Sequence, residues 1–134
     1  MRVVLDTNVV VSALLFGGKS GEIIPLWQSS RFQWLASKDI VREYARVLSY
    51  PKFRLEEQDI RELLNEEILS FVTPVHVRRT PRVIAKDPSD DKFLACAVAG
   101  RAETIVSGDR HLLDLRSYQR IPIVTLAAFL SDHE

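Results

Sequence analysis

A chain of 134 residues, 46% hydrophobic and 27% charged, has the size and composition of one globular domain with a core of its own. Its 18 basic residues balance 18 acidic ones, which excludes attachment to nucleic acid by bulk charge but leaves room for a local basic patch. Cys96 is the one cysteine, so an internal disulfide is excluded and a cytoplasmic location is expected. The apolar run at residues 9–16 is too short to span a bilayer and lacks the pattern of a cleaved signal peptide, so no membrane attachment is expected.

The chain opens on Arg2-Val3-Val4-Leu5-Asp6-Thr7-Asn8. Val3, Val4 and Leu5 are apolar without alternation, the pattern of a strand covered on both faces in a parallel sheet. Asp6 ends that strand, and Asn8 is expected to cap a helix carrying Val9, Val10, Leu14 and Leu15. Glycines 17, 18 and 21 mark a turn. Ser20 can cap a second helix with Ile23, Ile24, Leu26 and Trp27, in which Pro25 is tolerated only in the first turns. Residues 32–36 read as a strand and Ser37 as the next cap. The helix after it sets Ile40, Tyr44, Val47 and Leu48 on one face and stops at Pro51.

Residues 55–70 are charged, with Ile60, Leu63, Leu64, Glu67 and Ile68 at helical spacing, and residues 71–77 are β-prone but broken by Pro74. A basic cluster and a turn-like stretch lead to Ser89 or Asp90 as the cap of a helix with Phe93, Leu94, Ala97 and Val98, closed by Gly100. Residues 104–106 form another buried strand, ending in Ser107-Gly108-Asp109. Residues 121–124 are the last strand, whose Pro122 suggests an edge or a strand start, and a helix from Thr125 to about residue 130 follows. Strand–helix alternation without repeats or linkers predicts a three-layer α/β/α domain with a mainly parallel central sheet.

In such sheets, ligands bind beyond the carboxyl ends of the strands. Asp6 and Asp109 both follow buried strands and belong at that edge. Glu43 shares a helix stripe with Ile40 and Val47, an unusual place for a carboxylate, because an unpaired buried charge costs several kcal/mol. Asp90 and Asp91 open a helix whose next turn is apolar. Singly, each has an ordinary explanation: a cap for Asp6 or Asp90, a partner in Arg46 for Glu43, turn chemistry for Asp109. Together they carry a repulsion of roughly 3 kcal/mol for each pair about 5 Å apart. A hard divalent cation relieves it, and an all-oxygen carboxylate set suits Mg²⁺ or Mn²⁺. No Cys/His set has zinc spacing, since His76, His111 and His133 are scattered. The chemistry that follows is metal-assisted phosphodiester hydrolysis.

Four stretches carry a family resemblance: Val-Leu-Asp-Thr-Asn-Val-Val-Val-Ser-Ala-Leu (4–14), the Glu43 helix, Asp-Pro-Ser-Asp-Asp-Lys-Phe-Leu-Ala (87–95) and Ile-Val-Ser-Gly-Asp (105–109). They resemble the PIN domain and, within it, the VapC-like ribonucleases that are toxin components of toxin–antitoxin systems. The resemblance implies an acidic quartet that binds Mg²⁺ or Mn²⁺ and cuts RNA: Asp6, Glu43, one of Asp90 and Asp91, and Asp109. Counting back from Ser107 favours Asp91, and the family's Asp-Pro-x-Asp pattern favours Asp90. Asp90 is preferred, with Asp91 or Asp87 as a supporting acid. Thr7, Asn8 and Ser107 would orient a carboxylate or a water on the cation. Relatives often carry an acid where this chain has His111, which could contact phosphate, help move a proton or be an inert surface residue. The resemblance further implies a cognate antitoxin and a homodimer.

RNA contacts are expected from local cations, Arg78, Arg79, Arg82 and Lys86 before Asp90 and Arg110 after Asp109, giving salt-sensitive, weakly selective binding. Arg42 and Arg46 flank Glu43 and could hold an acidic segment of a partner. Two other classes compete: a catalytically weak PIN-fold module that binds RNA or protein, and a phosphoryl-transfer protein using Asp6 as nucleophile. Asp-Thr-Asn lacks the second acid that one such family carries two residues on, and no paired acids precede Asp6 as in the other.

Overall fold

The computed structural model describes residues 1–78 and 88–133. Among them, six strands form one sheet in the order β3-β2-β1-β4-β6-β5. Strands β1 (Arg2–Leu5), β2 (Gln33–Ser37), β3 (Val72–Val75), β4 (Thr104–Val106) and β6 (Ile121–Val124) run parallel, and the two-residue β5 (Ser117–Tyr118) pairs antiparallel with β6. Helices α1 (Thr7–Phe16), α2 (Ile24–Gln28), α3 (Lys38–Leu48), α4 (Glu57–Glu62), α5 (Asp91–Ala99), α6 (Arg110–Leu115) and α7 (Leu126–Asp132) cover the sheet. This is the α/β architecture with a mainly parallel sheet that the strand–helix alternation predicts.

β1 is central, with Val3, Val4 and Leu5 fully buried, as an unbroken apolar run requires when both faces are packed. The chain proceeds outward from β1 through β2 to β3, then returns to place β4 on β1's other side. The reversal makes the gap between the carboxyl ends of β1 and β4 the topological switch point, where α/β sheets place their ligands. Beside it, Trp27 stacks on Trp34 at 4.4 Å between ring centroids, and Trp34 packs against Tyr44.

Several local details depart from expectation for identifiable reasons. Asp6, not Asn8, caps α1, accepting the Thr7 amide, so the strand-ending acid is also the helix cap. Ser20 opens a 3₁₀ turn (Ser20–Ile23) rather than an α-helix, and Pro25 sits in the first turn of α2, where its missing N–H costs nothing. Ser37 caps α3 as its position suggests. The charged segment divides into α4 and a π-helical stretch (Leu63–Ile68). Pro74 does not break β3, because β3 is an edge strand and needs ladder partners on one side only. β6 is not an edge, yet Pro122 is tolerated because pairing with β4 begins at Ile123. Among the described residues, no single helix is long and apolar enough to cross a membrane.

Gly100 ends α5 for reasons of space rather than backbone freedom. Its φ is −90°, and the left-handed residue is Arg101, at φ 54°. Arg101 and Ala102 close the helix by donating their amides to Val98 and Ala97. A Cβ on Gly100 would lie 2.8 Å from Leu35 Cδ1 and 2.9 Å from Val75 Cγ2, both side chains packed in the core. Gly100→Ala is therefore expected to destabilise the fold by about 1–3 kcal/mol through overpacking. Thermal unfolding checks it: an unchanged Tm would show that α5 can ride away from β2 and β3 at no cost.

Candidate metal centre

Strand ends deliver two of the expected acids, and helices deliver the others. Asp6 follows β1 directly and is 5% exposed. Its Oδ1 accepts the Thr7 amide at 2.7 Å and its Oδ2 accepts the Ser107 hydroxyl at 2.6 Å. Ser107, fully buried just past β4, also accepts the Asp109 amide at 2.9 Å. One hydroxyl thus connects the carboxylate after β1 to the backbone after β4. Asp109 in turn caps α6, its Oδ1 accepting the His111 and Leu112 amides.

Glu43 reaches the same place from α3. Its Oε2 accepts the Thr7 hydroxyl, and its Oε1 takes Lys92 Nζ at 2.5 Å and the Arg46 guanidinium at 3.3 Å. Its side chain is 11% exposed. The inward position of α3 follows from the neighbouring residue: the buried Tyr44 hydroxyl donates to the Leu5 carbonyl at 2.6 Å and accepts the Trp34 indole N–H at 3.3 Å. With Tyr44 locked to the residue before Asp6, Glu43 meets the residue after it. Burial drives the Tyr44 hydroxyl well above the usual tyrosine range, so it serves as a permanent donor.

Asp90, Asp109 and His111 each offer one ligand atom, all within 4.8 Å of one another. Asp6, Thr7, Asn8, Glu43, Ser89, Asp90 and Asp109 line a cleft of about 240 Å³, together with Arg46, Val47, Tyr50, Lys52 and Phe53. Asp91 is 1% exposed and is not among the described lining residues. Arg78 and Arg110 are exposed outside that lining, and Arg79, Arg82, Lys86 and Asp87 lie outside the described residues.

The electrostatics suit a cation. Burial pushes the Asp6 carboxyl up to about 6 from its ordinary 3.8, with the charges of Asp109 and Glu43 adding and the Ser107 and Thr7 hydrogen bonds opposing. Two carboxylates and an imidazole around one point, beside a further buried carboxylate under repulsion, make a donor set that fits a divalent metal ion. Lys92 and Arg46 balance Glu43 from the protein side.

Residues 2–111 match the family model of the PIN domain. The chain belongs to the PIN-domain family. This PIN domain is also 31% identical over 120 residues to an uncharacterized protein of Methanocaldococcus jannaschii, a match that covers 87% of this chain and 76% of that protein. PIN domains are generally nucleases and typically use divalent metals, which agrees with the acidic group at the switch point.

Sequence reasoning missed Lys92, Tyr44's hydrogen bond, the cleft-lining Tyr50, Lys52 and Phe53, and α6 itself. A signal for α6 was present: Asp109 precedes Leu112, Leu113 and Leu115, a cap followed by an apolar turn. Lys92 follows Asp91 directly, but only the packing of α5 against α3 brings it to Glu43.

The raised Asp6 value generates a stability prediction. Folding favours the protonated carboxyl, so this contribution is full below about pH 4 and is lost as pH rises through about 6. The gap from 3.8 to about 6 corresponds to about 3 kcal/mol. Asp6→Asn removes the charge at the cost of the Ser107 hydrogen bond, about 1 kcal/mol at any pH. In chelator, the Tm of the variant relative to the parent is expected to climb by about 5–10 °C between roughly pH 4.5 and 7.5. A pH-independent difference refutes the buried-charge account.

Proposed function

We propose that this PIN domain is a Mg²⁺- or Mn²⁺-dependent endoribonuclease of the cytoplasm that hydrolyses RNA phosphodiester bonds. The observation that carries the reading is the meeting of Asp6, Glu43, Asp90 and Asp109 around one cleft at the switch point of the sheet. Asp90, Asp109 and His111 would hold the cation, with Asp6 beside them through Ser107. When bound, it offsets charge on the scissile phosphate and makes water a better nucleophile.

The protein's own groups supply positioning. Thr7 and Ser107 hold Glu43 and Asp6 in fixed orientations, so little reorganisation is needed when substrate arrives. Lys92 and Arg46 pair with Glu43 and temper the repulsion that four carboxylates exert on an incoming phosphate. The imidazole of His111 supports Mn²⁺ over Mg²⁺, because nitrogen donors suit Mn²⁺ better than the harder, strictly oxygen-seeking Mg²⁺.

The toxin role, within a type II toxin–antitoxin pair with a cognate antitoxin and a homodimeric nuclease, is supported by the resemblance of residues 4–14, 87–95 and 105–109 to VapC-like ribonucleases. Co-purification with the product of a neighbouring gene tests that part.

Purified protein is expected to cut RNA with Mn²⁺ or Mg²⁺ and to stop in chelator, while Asp6→Asn and Asp109→Asn fall to background with the fold intact by circular dichroism. Persistent cleavage in chelator, or by Asp6→Asn, refutes the assignment, and binding without cleavage by the parent would favour the binding-module alternative. His111→Asp is expected to shift the preference toward Mg²⁺, read as the ratio of Mg²⁺ to Mn²⁺ affinity by calorimetry; an unchanged ratio removes His111 from the donor set.

A further inference from the structure

Two carboxylates at the switch point stand outside the Asp90–Asp109–His111 group, and each of their oxygens meets a donor of the protein itself. Asp6 accepts the Thr7 amide on Oδ1 and the Ser107 hydroxyl on Oδ2, and Glu43 accepts the Thr7 hydroxyl on Oε2. The remaining oxygen, Glu43 Oε1, takes Lys92 Nζ at 2.5 Å and Arg46 at 3.3 Å. Among the described residues, the donor atoms within 4.8 Å of one another belong to Asp90, Asp109 and His111, and neither Asp6 nor Glu43 is in that group. The acids divide into a set that converges on one point and a set held by protein donors.

Two features single out Lys92 among those donors. It is the second residue of α5, and a cation in the first turn of a helix stands against the macrodipole, whose positive end lies there. Its side chain is 18% exposed, whereas that of Arg46 is 61% exposed. Solvent screens the Arg46 contact, but a desolvated ammonium keeps its field at short range. What explains so unfavourable a position is the carboxylate it reaches, 49 residues earlier in the chain, where α5 packs on α3. Lys92 is not among the described lining residues of the cleft, so it acts there through Glu43, which is. Two-metal hydrolytic sites set their ions about 3.5–4 Å apart. At Glu43 an ammonium is already in place, and a divalent ion on the same carboxylate would be its close, like-charged neighbour.

We propose that Lys92 takes the place of a second divalent ion. The free protein then holds one ion, at Asp90, Asp109 and His111, and Glu43 faces the cleft as a hydrogen-bond acceptor rather than as a ligand. The inference rests on the reading of the cleft as a metal centre, and its test is independent of cleavage. Lys92 is a positioning residue: with Thr7 it fixes the direction of the Glu43 carboxylate, and it supplies there a positive charge that needs no metal. Such a site responds to free metal as a single binding event.

The test counts ions on the full chain without RNA. Mn²⁺ titrated by calorimetry into metal-stripped protein is expected to show one site per chain, with the paramagnetic resonance spectrum of an isolated ion. Lys92→Met keeps the aliphatic stem without the charge and is expected to take two ions, about 3.5–4 Å apart and therefore spin-coupled. Lys92→Gln serves where Lys92→Met does not fold, and Lys92→Arg is expected to return the count to one. Two sites in the parent overturn the proposal without any variant. One site in a neutral variant that melting curves show to be folded also overturns it, and leaves Lys92 a structural ion pair. A parent that binds no Mn²⁺ overturns the proposal and the metal centre together. One ion in the parent and two in the neutral variant, with no RNA cut by the parent, would uphold the role of Lys92 and remove the nuclease assignment alone.

Discussion

The hydrogen bond from the Tyr44 hydroxyl to the Leu5 carbonyl, 2.6 Å long and fully buried, joins the end of the central strand to the helix that carries Glu43. The last carbonyl of a buried strand needs a donor, because leaving it unpaired costs about 1–3 kcal/mol. Tyr44 meets that need, and Trp34, stacked on Trp27, fixes the tyrosine in place. A requirement of core packing thus determines where a surface-poor carboxylate lies. Moving α3 outward by even one hydrogen-bond length would break this contact and the Thr7–Glu43 contact together.

Around that anchor the protein arranges charge in two ways. Glu43 is paired internally with Lys92 and Arg46. Asp6 has no cationic partner among its described contacts, only a hydroxyl and an amide, and burial raises its pKa accordingly. The site holds one carboxylate paired with two cations and another buried with none among its described contacts, and the second stands next to the Asp90–Asp109–His111 group. Hydrogen bonds to Asp6 keep it oriented despite the electrostatic cost, which is how a preformed site differs from a loose acidic patch.

Much of the sheet was legible because its signals are local. An unbroken Val3-Val4-Leu5 run, the Ser37 cap and the three-residue strand before Ser107 each declare themselves within a few residues. Elements that depend on neighbours were harder to read. Pro74 and Pro122 look like interruptions until the strand order shows which side of each strand is paired and where the pairing begins. β5 has two residues and exists only through its pairing with β6, so no periodicity could announce it. Asp6 and Asn8 compete as caps in the sequence, and the choice falls to Asp6 because the strand ends with its backbone extended there.

By itself, the sequence determined the fold class and the family, and residue order and periodicity put Asp6 and Asp109 after buried strands and Glu43 on an inward helix stripe. Tertiary structure alone decided which groups meet: Asp90 on the cleft lining and Asp91 off it, Lys92 on Glu43, His111 beside two carboxylates, and Tyr50 and Phe53 on the same lining. The reason is distance along the chain. Lys92 and Glu43 lie 49 residues apart, and Ser107 and Asp6 lie 101 apart. Only the packing of α3 and α5 and the parallel pairing of β1 with β4 bring these pairs within bonding reach.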